Sequence, residues 1–169
     1  MLQKYYRCEC MRKIFEYKTT VTIGDTNALQ NMYFLNFFKL QGIVRELWLK
    51  QHVPGGFEDL ANGMILITKD ANCEFKKDLY LYDEITVKFY ITQIKRTNFR
   101  IKFEFYNSNS GELHAEGNQT IVFANSQHKI IAIPDNWKDA ISQYYMESPV
   151  SEQTREIIHQ PMECEDVPA

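Results

Sequence analysis

The first polar side chains that could do chemistry lie in the segment GDTNALQN at residues 24–31. Asp25, Thr26, Asn27 and Asn31 supply carboxylate, hydroxyl and amide groups within seven positions. The segment is rich in turn and cap formers and stands directly before a helical pattern, so we expect these groups beside the free N–H groups of a helix N-terminus. Such N–H groups can hold a carbonyl oxygen as negative charge develops on it. Ordinary capping explains the same cluster, so the segment alone assigns no function.

A second candidate is Arg45, within a helix that the sequence predicts over about residues 32–52. The stretch has no proline and one glycine, and Pro54-Gly55-Gly56 ends it. At about 100° per residue, Arg45 projects into the apolar side of this helix, where a guanidinium is costly to bury. That side carries Phe34, Phe37, Phe38, Gln41 and Trp48.

Two interpretations of Arg45 remain open at this point. Its stem could run along the apolar surface so that the guanidinium reaches water at the domain edge, or the guanidinium could pair with a buried carboxylate. Alternatively, its fixed fork of donors points at an anionic or carbonyl-bearing ligand held against the helix. Glu46 is the only carboxylate inside the helix, but it falls on the polar side, where an ion pair with Lys50 at i+4 is its expected role.

The elements that must position these residues follow from hydrophobic periodicity. Alternating apolar residues predict two strands over 85–91 and 98–106, joined as an antiparallel hairpin with one buried face. Further strands are predicted over 13–23, 64–75 and 112–124, and a short helix over 134–145. The order is strand, long helix, four strands and short helix. We therefore predict an α+β fold in which a curved antiparallel sheet of about five strands wraps a long central helix.

The whole-chain composition bounds the function. The 169 residues suffice for one domain, and the net charge of −3 gives no reason to expect nucleic-acid binding. The four histidines and four cysteines show no metal-ligand spacing, so no metal or cofactor is expected. No apolar run is long enough for a membrane span. We expect a cytoplasmic protein with a leader at 1–12, one domain at 13–146, and an acidic, flexible tail at 147–169.

The window from Ile23 to Pro54 also resembles a known family. It contains Asp25-Thr26-Asn27, then Asn31-Met32-Tyr33-Phe34-Leu35-Asn36, then Gln41-Gly42 and Arg45-Glu46. This pattern resembles the N-terminal signature of the hot-dog thioesterases in the 4-hydroxybenzoyl-CoA thioesterase-like superfamily. The similarity is greatest to the acyl-carrier-protein thioesterases of enediyne and related iterative polyketide pathways, and the shared element order extends it over about residues 14–145.

The resemblance implies a reaction and a set of residues. In the 4-hydroxybenzoyl-CoA branch an Asp that acts as nucleophile or base occupies the position of Asn27, and an amide can do neither job near neutral pH. In the polyketide branch an Asn is paired with an Arg from the helix. Asn27 and Arg45 are thus implied as catalytic residues: Asn27 would position the thioester or water, and Arg45 would polarise acyl oxygens. The implied substrate-binding residues are Asp25, Asn31, Tyr33, Phe34, Phe37, Phe38, Gln41 and Trp48.

This sequence departs from the polyketide branch at two positions. Phe37 falls where that branch is expected to carry a Tyr hydroxyl, a group that Tyr33 could supply instead. Gln30 replaces the usual Gly before Asn31, which affects the turn that presents the helix amides. Both departures bear on acyl specificity more than on the fold.

The resemblance also implies partners. Hot-dog domains assemble as dimers or tetramers with sites between subunits, and the substrate is a thioester of an acyl carrier protein or of CoA. Residues 69–102 contain eight bases against five acids, which could dock an acidic carrier protein or simply be a solvated sheet face. We predict release of a polyene or β-keto polyketide from the carrier. The alternatives are an acyl-CoA thioesterase of general metabolism and a non-catalytic acyl-binding protein.

Overall fold

A computed structural model describes residues 13–146 of the chain. The predicted leader at 1–12 and the predicted acidic tail at 147–169 lie outside the described residues. The described elements, in chain order, are β1 (Phe15–Thr20), a single 3-10 turn (Ile23–Asp25), α1 (Phe34–His52), α2 (Gly56–Ala61), β2 (Ile65–Phe75), β3 (Glu84–Ile94), β4 (Asn98–Asn107), β5 (Leu113–Ala124) and α3 (Asp135–Gln143).

The five strands form one antiparallel sheet in the order β1-β3-β4-β5-β2. Alternation along β4 is strict, because every second residue from Phe99 to Phe105 is buried and those between are half-buried. Register shifts interrupt the β2–β5, β3–β4 and β4–β5 pairs, and such irregularities bend and twist a sheet. The predicted α+β architecture, one long helix on a five-stranded antiparallel sheet, is confirmed.

Helix α1 lies across the buried face of this sheet. Near its start Phe37 contacts Phe105 of β4 edge-on, with ring centroids 5.2 Å apart. Near its end Trp48 stacks on Phe89 of β3 at 4.9 Å. Both helix residues are almost completely buried, so α1 is held at both ends by aromatic packing, and truncating either side chain to alanine would cost about 3–5 kcal/mol.

The apolar side of α1 is narrower than the sequence pattern indicates. Phe34, at the first position of the helix, is half-exposed, and Phe38 is only partly buried. Val44 and Leu49 are fully or almost fully buried in their place. The described residues therefore leave Phe34 and Leu35, the first two residues of the helix, about half-exposed.

Helix α2 was not predicted. Pro54, Gly55 and Gly56 indicate a break, and a six-residue helix is too short to show a period. It begins after Gly55, which has φ +74° and takes the left-handed conformation that glycine permits. Among the described residues, no helix is long and apolar enough to cross a membrane.

Candidate functional site

Asn27 lies in a tight turn just before α1. Its backbone N–H donates to the carbonyl of Asn31 (2.9 Å), and its own carbonyl accepts from Gln30 N–H (2.9 Å). Its side-chain oxygen accepts from the backbone N–H of Leu29 (2.8 Å). This last bond fixes the orientation of the carboxamide, because the oxygen is occupied and the NH2 group, which makes no hydrogen bond among residues 13–146, can donate to a ligand.

The same turn contains Gln30, one of the departures from the family pattern. Gln30 has φ +65°, in the left-handed region where a side chain is strained and glycine is not. The glycine usual at this position in the polyketide branch suits that conformation. The turn thus holds Gln30 in this conformation at a cost in backbone strain.

Asp25 organises the backbone on the other side of Asn27. Its carboxylate accepts from the backbone N–H of Thr22 (2.9 Å) and from the Thr22 hydroxyl. Burial opposes ionisation of Asp25, but the hydrogen bonds from Thr22 outweigh it, and the pKa of the carboxyl lies below its ordinary value. Its carbonyl accepts from Tyr33 N–H (2.8 Å) and from the Asn36 amide (2.8 Å), so Asp25 ties the turn to the first residues of α1.

Within the part of the chain that the structure describes, the N-terminus of α1 has no side-chain cap, since Tyr33 at the N-cap position makes no such hydrogen bond. The free N–H groups of the first turn are therefore not satisfied by a capping side chain. This end of the helix borders a cavity of about 330 Å³, which we call the Asn27 cavity. Its wall includes Asn27, Asn31, Tyr33, Phe34, Phe37 and Phe75.

Two predicted residues of this cavity have well-defined neighbours. Phe37 is 3% exposed and packs edge-on against Phe75 and Phe105, at 5.1 and 5.2 Å, so its surroundings are apolar. Asn31 donates through its amide to Asp78 (3.2 Å), while its side-chain oxygen is buried without a partner among the described residues. Tyr33 is exposed beside Phe34.

Arg45 lies further along α1 and is partly buried. Its Nη1 donates to Oγ1 of Thr68 and to Oε1 of Gln119, both at 2.9 Å. Within residues 13–146 no carboxylate forms a salt bridge with it. Burial lowers the pKa of the guanidinium, and the nearby charge of Glu46 offsets part of this. Arg45 is thus a desolvated cation with neutral partners, and its other donors make no hydrogen bond within the described chain.

A directed chain of hydrogen bonds holds Arg45 in place. An arginine can only donate, so the oxygen of Gln119 must face it and the Gln119 nitrogen must face away. That nitrogen donates to Oε1 of Gln41 (3.1 Å), and Nε2 of Gln41 donates to the carbonyl of Asn72 (3.1 Å). Gln41 is fully buried, with both ends of its amide paired inside the chain. The structure therefore places this predicted substrate-binding residue behind Arg45.

Arg45 also borders a cavity of about 310 Å³, which we call the Arg45 cavity. Apart from Arg45 and Glu46, its wall is apolar or aromatic, with side chains from α1, α2, α3 and the starts of β2 and β4. These include Trp48, Leu49, Leu60, Met64, Phe99 and Trp137. A volume of this size is at the lower end of the range for small-molecule pockets.

The two predicted catalytic residues do not meet within one chain. Asn27 lines one cavity and Arg45 the other. Arg45 comes eleven positions after Phe34 on α1, which is about 16 Å along the helix axis. Strand β2 connects the two cavities, because Ile65 and Leu66 at its start line the Arg45 cavity and Phe75 at its end lines the Asn27 cavity.

Gln119 is a site residue that the sequence reasoning missed. It lies on β5, where Ala115, Gly117, Ile121 and Phe123 share its inward side. A lone glutamine at such a position was the available signal, since a buried amide needs partners. The described residues contain no group of acidic, His or Cys side chains arranged to hold a metal ion.

Three comparisons with known proteins found relatives of this chain. Residues 21–141 match the thioesterase-like superfamily. A 1,4-dihydroxy-2-naphthoyl-CoA hydrolase from Thermosynechococcus vestitus is 26% identical over 120 residues, which span 70% of this chain and 77% of that protein. The crystal structure of the dynemicin thioesterase, solved in a study of polyene binding, is 26% identical with a TM-score of 0.75, covering 80% of this chain and all of that one.

A more distant structure shares the fold. A Staphylococcus aureus protein characterised in complex with CoA gives a TM-score of 0.74 at 19% identity. The match covers 93% of this chain and 97% of that one.

Proposed function

The chain belongs to the thioesterase-like superfamily, and on that basis we propose that it releases a polyene or β-keto polyketide chain from an acyl carrier protein. The general activity, thioester hydrolysis, follows from the family and from the related CoA-ester hydrolase. The carrier and the acyl chain are the finer part of the proposal. They are supported by the similarity to the dynemicin thioesterase over that protein's full length. We also propose that the reaction takes place in the cytoplasm.

The observation that carries the proposal is the state of Arg45. It is a partly buried guanidinium that lines an apolar cavity and has only neutral partners among the described residues. A cation in that setting is stabilised by an oxygen-bearing ligand, and its remaining donors are free to bind one. A thioester carbonyl or an acyl keto group has the chemistry required.

Hydrolysis then proceeds by positioning and electrostatics. Water attacks the carbonyl carbon, the C–S bond breaks, and one proton of the water passes to the departing sulfur, so that the phosphopantetheine leaves as a thiol and the acyl chain as an acid. The N–H groups at the start of α1 hold the oxyanion, the NH2 of Asn27 positions the thioester or the attacking water, and Arg45 polarises the acyl oxygens. Neither residue removes a proton, so the rate enhancement comes from orientation and charge stabilisation, each of which can supply several kcal/mol. No cofactor is needed.

We further propose that each site is shared by two subunits. No strand within residues 13–146 pairs with the outer edge of β2, and residues 68–72 on it are exposed. Such an edge pairs readily with a second copy. Antiparallel pairing about a two-fold axis puts the start of one β2 beside the end of the other. The Arg45 cavity of one subunit then adjoins Asn27 of the partner subunit, and the same dimer can form half of a tetramer.

Carrier docking is assigned to the turn between β3 and β4. Of the bases in residues 69–102, Lys76, Lys77 and Lys102 are already paired with glutamates. Lys95, Arg96 and Arg100 form no salt bridge within the described chain. Lys69 and Lys88 form none there either, but Lys95 and Arg96 lie together in the turn and Arg100 follows near the start of β4, so these three form the cluster that we propose for an acidic carrier protein.

Parallel hydrolysis assays test the carrier. The same acyl chain is offered on a carrier protein and on CoA, and thiol release is followed. We expect a higher kcat/KM for the carrier-bound ester. Equal or better turnover of the CoA ester would instead establish the second candidate, an acyl-CoA thioesterase, which the similarity to a naphthoyl-CoA hydrolase favours.

The variant Arg45→Ala separates catalysis from simple acyl binding. Under the proposal it abolishes hydrolysis and leaves the oligomer folded. If wild-type protein binds acyl chains but never cleaves a thioester, the protein is an acyl-binding module and the catalytic proposal is wrong.

A further inference from the structure

Trp48 has an unsatisfied hydrogen-bond donor. The residue is 1% exposed, and its indole N–H is buried without an acceptor among the described residues. The ring is held by stacking on Phe89 and by edge contact with Tyr144 (5.8 Å). A buried donor without a partner is costly, so such groups commonly await a ligand or an ordered water.

Trp48 belongs to the wall of the Arg45 cavity. It follows Arg45 by three positions on α1, a spacing that puts two side chains on neighbouring turns of the same helix face. Most of the remaining wall is apolar. A water would find few of the two to four partners that it needs there. An oxygen attached to an apolar chain would suit both the apolar wall and the unpaired indole N–H.

The second tryptophan of the cavity provides an internal comparison. Trp137 is equally buried, but its indole N–H donates to Oδ2 of Asp59 at 2.9 Å. The same carboxylate oxygen also accepts from the Asn136 amide (2.9 Å). The chain therefore satisfies one indole of this cavity with its own carboxylate and leaves the other unpaired.

We propose that the Arg45 cavity selects acyl chains that carry a carbonyl or hydroxyl oxygen, and that Trp48 recognises this oxygen through its indole N–H. Arg45 binds the acyl oxygen at the reacting end, and the indole N–H of Trp48 donates to an oxygen substituent a few bonds further along the chain. Trp48 is thus a specificity-determining residue. The inference rests on the proposed thioesterase function, because the cavity is taken to hold the acyl part of that substrate.

The test compares CoA thioesters of one chain length, either unsubstituted or carrying one keto group at the third, fifth or seventh carbon. Wild-type protein should prefer at least one keto ester by about tenfold in kcat/KM, which is the size expected of one hydrogen bond. In Trp48→Phe the preference should be lost, with kcat/KM about equal for the keto and unsubstituted esters. A change in packing alone would affect both esters equally and leave the ratio unchanged.

Trp137→Phe is the matched control, since it removes an indole from the same cavity whose N–H is already used. It should retain the wild-type ratio of keto to unsubstituted ester. If Trp48→Phe does not fold, the Trp137→Phe background leaves Trp48 as the only tryptophan of the chain. Biosynthetic replacement by benzothienylalanine then removes only the N–H of Trp48 and keeps the ring shape.

Binding of the free keto and unsubstituted acids, measured by calorimetry, gives the same comparison without turnover. A preference that depends on the Trp48 N–H supports the inference in either assay. Equal binding of both acids, or a preference that survives loss of the N–H, overturns it. Absence of hydrolysis with a retained binding preference would refute the proposed thioesterase function, while recognition of the oxygen by Trp48 would be supported for a bound acid rather than for a substrate.

Discussion

The amide oxygen of Gln119 lies 2.9 Å from Nη1 of Arg45 and accepts its hydrogen bond. Because Gln119 is 5% exposed and also donates to Gln41, it cannot turn away without breaking both bonds. The direction of the guanidinium is therefore set by a strand residue far away in sequence. Gln119 acts on the reaction through Arg45, as a positioning residue.

The first prediction concerns Gln119. Gln119→Met keeps the length of the side chain but removes the acceptor for Arg45, so we expect kcat to fall about 10- to 100-fold, the equivalent of one hydrogen bond to a charged group. Gln119→Glu supplies an acceptor but neutralises the guanidinium, so KM should rise. Steady-state kinetics on a folded, oligomeric protein measure both. An unchanged kcat in Gln119→Met would show that Arg45 needs no such support.

The second prediction tests the shared site. Asn27→Ala and Arg45→Ala should each be inactive alone. If the two subunits are mixed at random, half of the dimers are hybrids, and each hybrid has one intact site and one doubly altered site. Mixing after dissociation, or co-expression, should therefore restore about one quarter of the wild-type activity. If the mixture stays inactive while hybrid dimers are detected by mass spectrometry, each site is built from one chain.

The third prediction concerns the strained turn. Gln30 has φ +65°, and relief of a left-handed conformation is worth about 1–2 kcal/mol. Gln30→Gly should therefore raise the free energy of unfolding by about 1 kcal/mol after the added flexibility of the unfolded chain is counted. Denaturant titration with an unchanged m-value measures this. Gln30→Ala, which keeps a Cβ, is the control and should not stabilise.

The sequence predicted the elements well because their signals are local. Alternation in β3 and β4 and the Pro54-Gly55-Gly56 break at the end of α1 require no knowledge of tertiary contacts. Arg45 was noticeable for the same reason, as a charge on an apolar helix face. The partners of Arg45 could not be read in this way. Thr68 and Gln119 come from two other strands, and only the register of the sheet brings them to one guanidinium.

The exposure of Phe34 and the role of Gln41 were also beyond the sequence. Both lie on the helix side that periodicity assigns to the core. Phe34 is nevertheless 48% exposed, whereas Gln41, although polar, is fully buried. Gln41 can be buried because Gly117 leaves room above β5 and because Asn72 and Gln119 satisfy its amide. The catalytic roles of Asn27 and Arg45 remain predictions.

The fourth prediction concerns Cys73, the half-buried thiol on β2. Burial raises its pKa from 9.0 to about 11, although a hydrogen bond with Gln41 offsets part of the shift. Its alkylation rate, followed by site-resolved mass spectrometry, should keep rising with pH beyond 9. In urea-unfolded protein the same rate should level off above about pH 9. A native plateau near pH 9 would contradict the shift.

The raised pKa of Cys73 also makes the free energy of unfolding depend on pH. Between pH 9 and about 11 the unfolded chain loses a proton that the folded chain retains at Cys73. Its contribution to stability is therefore complete below pH 9 and is lost as pH rises through that window. Cys73→Ala should make the unfolding free energy fall less steeply over this pH range than in wild-type protein.

The last prediction concerns the space occupied by Gln41 in the chain of hydrogen bonds that holds Arg45. A Cβ at Gly117 would overlap the amide nitrogen of Gln41 and would stand 3.0 Å from the carbonyl of Asn72. Gly117→Ala should therefore push Gln41 away, release Gln119 and lower both stability and kcat. In Gly117→Ala/Gln41→Ala the added methyl group meets no amide, so the two losses in stability should not add. Additive losses would show that Gly117 is needed for the strand itself, whereas a double variant more stable than Gly117→Ala would assign the glycine to the path of Gln41 towards Arg45.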